Sequence, residues 1–66
     1  MTIGQRIKQL RKQNEYTART LGFLSQIHPQ TIYNQESERA TPNFYHLTMY
    51  AKAFDLTLVE LLEGVE

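Results

Sequence analysis

The stretch Thr17-Ala18-Arg19-Thr20-Leu21-Gly22-Phe23-Leu24-Ser25-Gln26-Ile27-His28-Pro29-Gln30-Thr31-Ile32-Tyr33-Asn34-Gln35-Glu36-Ser37 decides how the chain folds. Thr17 is a side chain that accepts from the first free N–H groups of a helix, so it caps a helix over Ala18 to Ser25. Leu21, Leu24 and small Gly22 lie along that helix, and a short turn at Gln26-Ile27 follows. His28-Pro29 opens the next helix, with proline at the first helical position, where its missing N–H does no harm. This helix runs from Pro29 to about Ser37 and is anchored by Ile32. Two short helices joined by so tight a turn form the unit that sets a second helix into the DNA major groove. Small helical bundles also contain short helix pairs, so spacing alone leaves that use open.

Working outward, the same helical period recurs on both sides, and no alternating strand pattern occurs anywhere. Upstream, Ile3 to Gln13 carries Ile3, Ile7 and Leu10 on one face, with Arg6, Lys8, Arg11 and Lys12 around the rest. Thr2 caps it, Gln5 completes a capping box, and Asn14-Glu15 breaks it. Downstream, Ala40-Thr41-Pro42 is a loop, and Asn43 caps a fourth helix with Phe44, Leu47, Tyr50, Ala51 and Phe54 inward. Thr57 and Glu60 form a second capping box for a fifth helix that buries Leu58, Leu61 and Leu62 and ends at Gly64. The expectation is an all-α fold in which residues 1–66 make a single compact domain.

Composition bounds the function. A chain of 66 residues buries only about 60% of its unfolded surface, so a small core and a partner subunit are expected. The absence of cysteine excludes disulfides, thiolate metal sites and cysteine nucleophiles. His28 and His46 are the only histidines and lie far apart in the chain, so no metal site is expected. No glycine-rich phosphate loop or nucleophile motif occurs, and Glu60 and Glu63 read as a cap and a solvated charge, so no catalysis and no cofactor are expected. No apolar run approaches the roughly 18 residues of a membrane span, and the first residues lack a signal peptide's apolar stretch, which points to the cytoplasm. Net charge is zero, yet residues 1–39 carry six Lys and Arg against three Glu. Residues 40–66 carry Lys52 against four carboxylates. A basic half beside an acidic half is the electrostatic footprint of a nucleic-acid-facing surface.

The residues Ile7-Lys8-Gln9-Leu10-Arg11-Lys12, Tyr16-Thr17, Leu21-Gly22, Ile27, Thr31-Ile32, Glu36, Pro42, Phe44, Leu47, Ala51-Lys52-Ala53-Phe54 and Leu56 through Leu62 resemble the Xre/Cro family. That is the helix-turn-helix of lambdoid phage repressors and many bacterial regulators. The resemblance needs no gap and covers about residues 3–62. It implies a five-helix lambda-repressor-like domain, with helix two over the phosphates and helix three reading bases of double-stranded DNA. Carried over by position, Gln30 and Asn34 are the main base-reading residues, with Tyr33 beside them. Both amides suit the N6 and N7 edge of adenine. Thr17, Arg19, His28 and Thr31 fall at the starts of the two helices, where the resemblance implies backbone contacts. Arg11, Arg39 and Asn43 are further phosphate candidates. Related proteins pair through the fifth helix, which implies a homodimer interface at Val59, Leu62 and Val65.

Four departures from the family pattern stand out. Glu15, Gln26 and Glu38 replace glycines at turns, so each turn costs about 1 kcal/mol if its backbone is left-handed. Ala18 replaces a glutamine that braces a phosphate, and Phe23-Leu24 replace polar residues. Gln35 stands at an apolar position, which is expected to weaken the packing of helix three. The leading expectation is a homodimeric transcription repressor on a near-palindromic operator, controlled by its concentration or by a protein antagonist. The alternative on the same scaffold is a protein-interaction module of the antirepressor or antitoxin kind.

Overall fold

The structure is a computed structural model that describes residues 1–66. Its five helices are α1 (Ile3–Gln13), α2 (Ala18–Ser25), α3 (Pro29–Glu36), α4 (Phe44–Ala53) and α5 (Leu58–Leu61), and there is no strand. No helix is long and apolar enough to cross a membrane.

Each helix starts where a side chain satisfies a free backbone donor. Thr2 Oγ1 accepts from the Gln5 N–H at 3.1 Å while Gln5 Oε1 accepts from the Thr2 N–H at 2.9 Å, so the expected capping box forms. Thr57 and Glu60 repeat it at α5, at 2.8 and 3.1 Å. The Thr57 N–H and hydroxyl hold the Glu60 carboxyl below the usual carboxylate range. Thr17 and Asn43 cap α2 and α4 as expected.

The helix ends are also local in origin. After α1, Tyr16 N–H donates to Arg11 O and Glu15 N–H to Lys12 O, the paired bonds of a left-handed terminator. The same pair recurs after α3, with Arg39 on Asn34 and Glu38 on Gln35, and after α4, with Leu56 on Ala51 and Asp55 on Lys52. Glu15, Gln26 and Glu38 do take positive φ, at 57°, 60° and 67°. Asp55 is a fourth such residue, at 58°. The geometry that favours glycine is thus built from side-chain-bearing residues at four turns.

The core is a cluster of ten residues, Ile7, Leu10, Ala18, Leu21, Ile27, Ile32, Tyr50, Ala51, Phe54 and Leu61. Burying one such aliphatic side chain contributes about 1.5–3 kcal/mol. Tyr16 stacks on Phe54 with ring centroids 6.3 Å apart, which closes the α1–α2 loop over the end of α4.

Two expectations about the core are corrected. Phe44 does not point inward and is 71% exposed. It is the first residue of α4, and a helical side chain leans toward the N-terminus, which carries its ring past the edge of the core. The fifth helix ends at Leu61 rather than near Gly64, with Leu58 and Leu62 only half-buried. Arg6 accounts for this early stop, since its Nε donates to Leu61 O and its guanidinium NH2 to Glu60 O, both at 2.9 Å. Arg6 thus ties the end of α5 to α1, and Glu60 O also accepts from the Glu63 N–H at 3.3 Å.

Gln26 is neutral and exposed, so its replacement isolates the backbone term. Gln26→Gly is expected to raise stability by about 0.5–1 kcal/mol and the melting temperature by a few degrees. A thermal melt with an unchanged or lower midpoint would show that no strain is held at this turn.

Candidate nucleic-acid interface

The turn between α2 and α3 is made by five residues, Gly22, Ser25, Gln26, His28 and Pro29. A Cβ on Gly22 would stand 2.8 Å from Ile27 O and 3.2 Å from the Pro29 ring, so only glycine lets the chain fold back this closely. Buried Ser25 donates to Leu21 O at 2.7 Å and accepts from the Ile27 N–H at 3.3 Å. That second bond pairs a backbone donor that the turn would otherwise bury alone. Gln26 supplies the left-handed step. His28 then caps α3 through its ring, with Nδ1 accepting from the Gln30 N–H at 3.1 Å, and Pro29 is the first helical residue. The sequence shows the proline and the turn but not the work of Ser25, whose hydroxyl joins Leu21 O before the left-handed step to the Ile27 N–H after it.

On α3, Ile32, Gln35 and Glu36 face the interior. Gln30 and Tyr33 are exposed and Asn34 is half-buried, so the three residues expected to read bases share the outward side. Gln30 Nε2 donates to Asn34 Oδ1 at 3.3 Å, as the i, i+4 spacing allows. Thr31 is half-buried at the start of the helix. Thr17 and Arg19 are exposed at the start of α2, where the Thr17 hydroxyl accepts from the Thr20 N–H at 3.0 Å. Arg39 is exposed just past α3, and its Nε donates to Ser37 Oγ at 3.1 Å. Asn43 is exposed, and its Oδ1 accepts from the His46 N–H at 2.8 Å. These positions lie around α3 and its flanks. Val59, Leu62 and Val65 lie apart from them at α5, with Val59 79% exposed and the other two half-buried.

The inner side of α3 overturns two readings. Gln35 does not weaken the packing. It is 2% exposed, its Oε1 accepts from the buried Tyr50 hydroxyl, and its Nε2 lies 3.0 Å from His46 Nδ1. Because Tyr50 spends its only proton on Oε1, the amide nitrogen must be the donor to His46. The Asn43 N–H donates to that same ring nitrogen at 3.3 Å, which puts the imidazole proton on Nε2. Burial, then the charge of Glu36, pushes the Tyr50 hydroxyl well above its ordinary pKa and keeps it a donor.

Arg11, expected on phosphate, is instead committed inside. Its Nε and one NH2 hold both oxygens of Glu36 at 2.7 and 3.1 Å, and its other NH2 donates to Tyr16 O at 3.1 Å. The two side chains are 12% and 5% exposed. The bonds to Glu36 raise the Arg11 pKa above its ordinary value against the opposing effect of burial. No buried side-chain nitrogen or oxygen is left without a partner.

With Arg6 and Arg11 turned inward, Lys8, Lys12, Arg19 and Arg39 are the exposed cations of the basic half. Lys8, Gln30, Tyr33, Glu36, Ser37 and Arg39 together line a groove of about 310 Å³ between α1 and α3. The sequence reading had placed Lys8 only on the general basic face of the first helix.

A family model described as helix-turn-helix matches residues 7–61. No curated protein matches the chain.

The buried amide network has a test of its own. Gln35→Leu is expected to cost about 1–3 kcal/mol, since it strands the Tyr50 hydroxyl in the core. Adding Tyr50→Phe should return most of that loss, because no polar group then remains unpaired. Chemical denaturation of the single and double variants measures this, and additive losses would refute the coupling.

Proposed function

The chain belongs to the Xre/lambda-repressor-like helix-turn-helix family, a DNA-binding family rather than an enzymatic one, and we propose that it is a sequence-specific repressor of transcription. In this reading a homodimer sets α3 of each subunit into successive major grooves of a near-palindromic operator. Gln30 and Asn34 pair with base edges, adenine suiting both, and Tyr33 meets a thymine methyl or a sugar. Thr17, Arg19, His28, Thr31, Arg39 and Asn43 hold the sugar-phosphate backbone on either side.

The observation that carries the proposal is the division of α3 into two sides. Its inner side is fixed by Ile32, by the Gln35 amide network and by the Glu36–Arg11 pair. Its outer side presents two amides bonded only to each other, at 3.3 Å, on a rigid support. A helix held this firmly from behind presents its outer side chains with little ordering left to complete on binding.

A mobility-shift or footprint titration against the DNA flanking its own gene tests this. Specific binding with a steep salt dependence is expected. Gln30→Ala and Asn34→Ala are each expected to cost about 1–3 kcal/mol of affinity and to relax base preference at one position. Unchanged affinity in folded variants would show that α3 does not read bases in this way.

One observation favours the interaction-module reading, namely that Phe23 is 84% and Leu24 41% exposed on α2. The same titration separates the two, because an interaction module would give no specific shift at low salt.

The dimer is proposed at α5 because Val59 stands almost free there, beside half-buried Leu62 and Val65. Val59→Lys should shift sedimentation from dimer to monomer and weaken operator binding, while circular dichroism below the melt still shows the five helices. A wild-type chain that sediments as a monomer at micromolar concentration would exclude this interface.

A further inference from the structure

We infer that the groove between α1 and α3 seats a DNA phosphodiester, with Lys8 gripping it from the α1 wall and Arg39 from the end of α3. This rests on the reading above, in which α3 is the helix that enters the major groove. It adds a backbone contact from the first helix.

The groove exists because α1 lies unusually close to α3. A Cβ on Gly4 would stand 2.4 Å from Gln35 O and 3.0 Å from Glu36 O, a separation only glycine permits. One helical turn later comes Lys8, and three residues beyond it Arg11 binds Glu36. Residues spaced by four and three lie on neighbouring positions of one helix side. Lys8 therefore stands between two fixed contacts to α3, on the edge of the groove that Gln30 and Tyr33 also line.

Electrostatics selects the occupant. Glu36 lines the groove, but both of its oxygens are held by Arg11, so its charge is neutralised locally. Lys8 and Arg39 make no ion pair, and the groove is left with two uncompensated positive charges. Only one of the six lining residues is apolar, which suits an anion better than a stacked base. Ser37 Oγ fixes Arg39 by its Nε and leaves the two terminal NH2 groups for an oxygen pair. Lys8 supplies a point charge on a flexible stem, which suits a non-bridging phosphate oxygen. A duplex read by Gln30 and Tyr33 carries phosphates along the edges of the groove that α3 would occupy, so an anion arrives where the two cations wait.

The test is an anisotropy titration of the duplex from the gene's own flanking DNA, at about 0.05–0.3 M salt, the range over which counterion release is read. Lys8→Gln is expected to weaken binding about three- to tenfold for every sequence and to lower the slope of log affinity on log salt by about 0.9. Lys8→Arg should keep the wild-type slope. Lys52→Gln removes the same charge from α4, outside the groove, and should change neither quantity. A Lys8→Gln variant with wild-type slope overturns the inference, and so does an equal loss for Lys52→Gln, which would make the effect one of net charge. Wild-type chain that fails to bind the duplex at all would instead remove the DNA-reading proposal beneath it. The Lys8 side chain is exposed and makes no hydrogen bond, so matching thermal melts are expected and separate lost contact from lost fold.

Discussion

The Arg11–Glu36 pair is the contact on which the placement of α3 depends. An isolated helix of eight residues is not stable in water, so α3 takes its order from what it packs against. Ile32 supplies one anchor, and the ion pair supplies direction. Buried ion pairs often return less than their desolvation costs. This one has two parallel bonds to the carboxylate and a third to a backbone carbonyl, so few donors are left dry. Removing one partner would strand a charge among core residues, which costs about 3–5 kcal/mol, a large part of what a domain this size can hold. The pair therefore works as a registration device between α1 and α3. Gly4 makes it possible by letting the two helices close to the distance at which a guanidinium and a carboxylate meet.

The fold was legible in the sequence wherever its cause is local. Thr2 with Gln5, Thr17, Asn43, and Thr57 with Glu60 act over three residues, and all cap as their types suggest. The positive φ of Glu15, Gln26 and Glu38 was legible only through resemblance, because nothing in a glutamate or glutamine announces a left-handed backbone. Asp55 escaped for the same reason. Most of what stayed hidden acts between distant residues, the two backbone bonds of the Ser25 hydroxyl being the local exception. Gln35 meets Tyr50 across 15 positions, Arg11 meets Glu36 across 25 and Arg6 meets Leu61 across 55. Each of these polar side chains reads alone as surface, and only a folded chain shows that its partner stands opposite.

The same distinction changes how the charge should be counted. By sequence the first part of the chain looks broadly basic, but Arg6 closes α5 and Arg11 braces α3. The basic surface is accordingly narrower than its composition, and it is concentrated at Lys8, Lys12, Arg19 and Arg39. A narrow set of cations suits a protein of zero net charge. Such a molecule gains little from diffuse attraction to nucleic acid, so its affinity has to come from placed contacts.

Placement also bears on the outer side of α3. Gln30 and Asn34 are bonded to each other at 3.3 Å in solvent, a long bond that is inexpensive to exchange. Their backbones are held by helix, cap and inner contacts, so exchange needs only side-chain rotation. A glutamine and an asparagine one turn apart can give up that bond for base edges without moving the support beneath them. If the bases offered no matching donors and acceptors, the two amides could simply remain paired. Discrimination would then come from the difference between regained and unregained bonds, and it would be sharpest where the site excludes water. Under the proposed base reading, the rigid inner network and the loosely paired outer amides are two halves of one arrangement, in which firm register would make weak, exchangeable contacts selective.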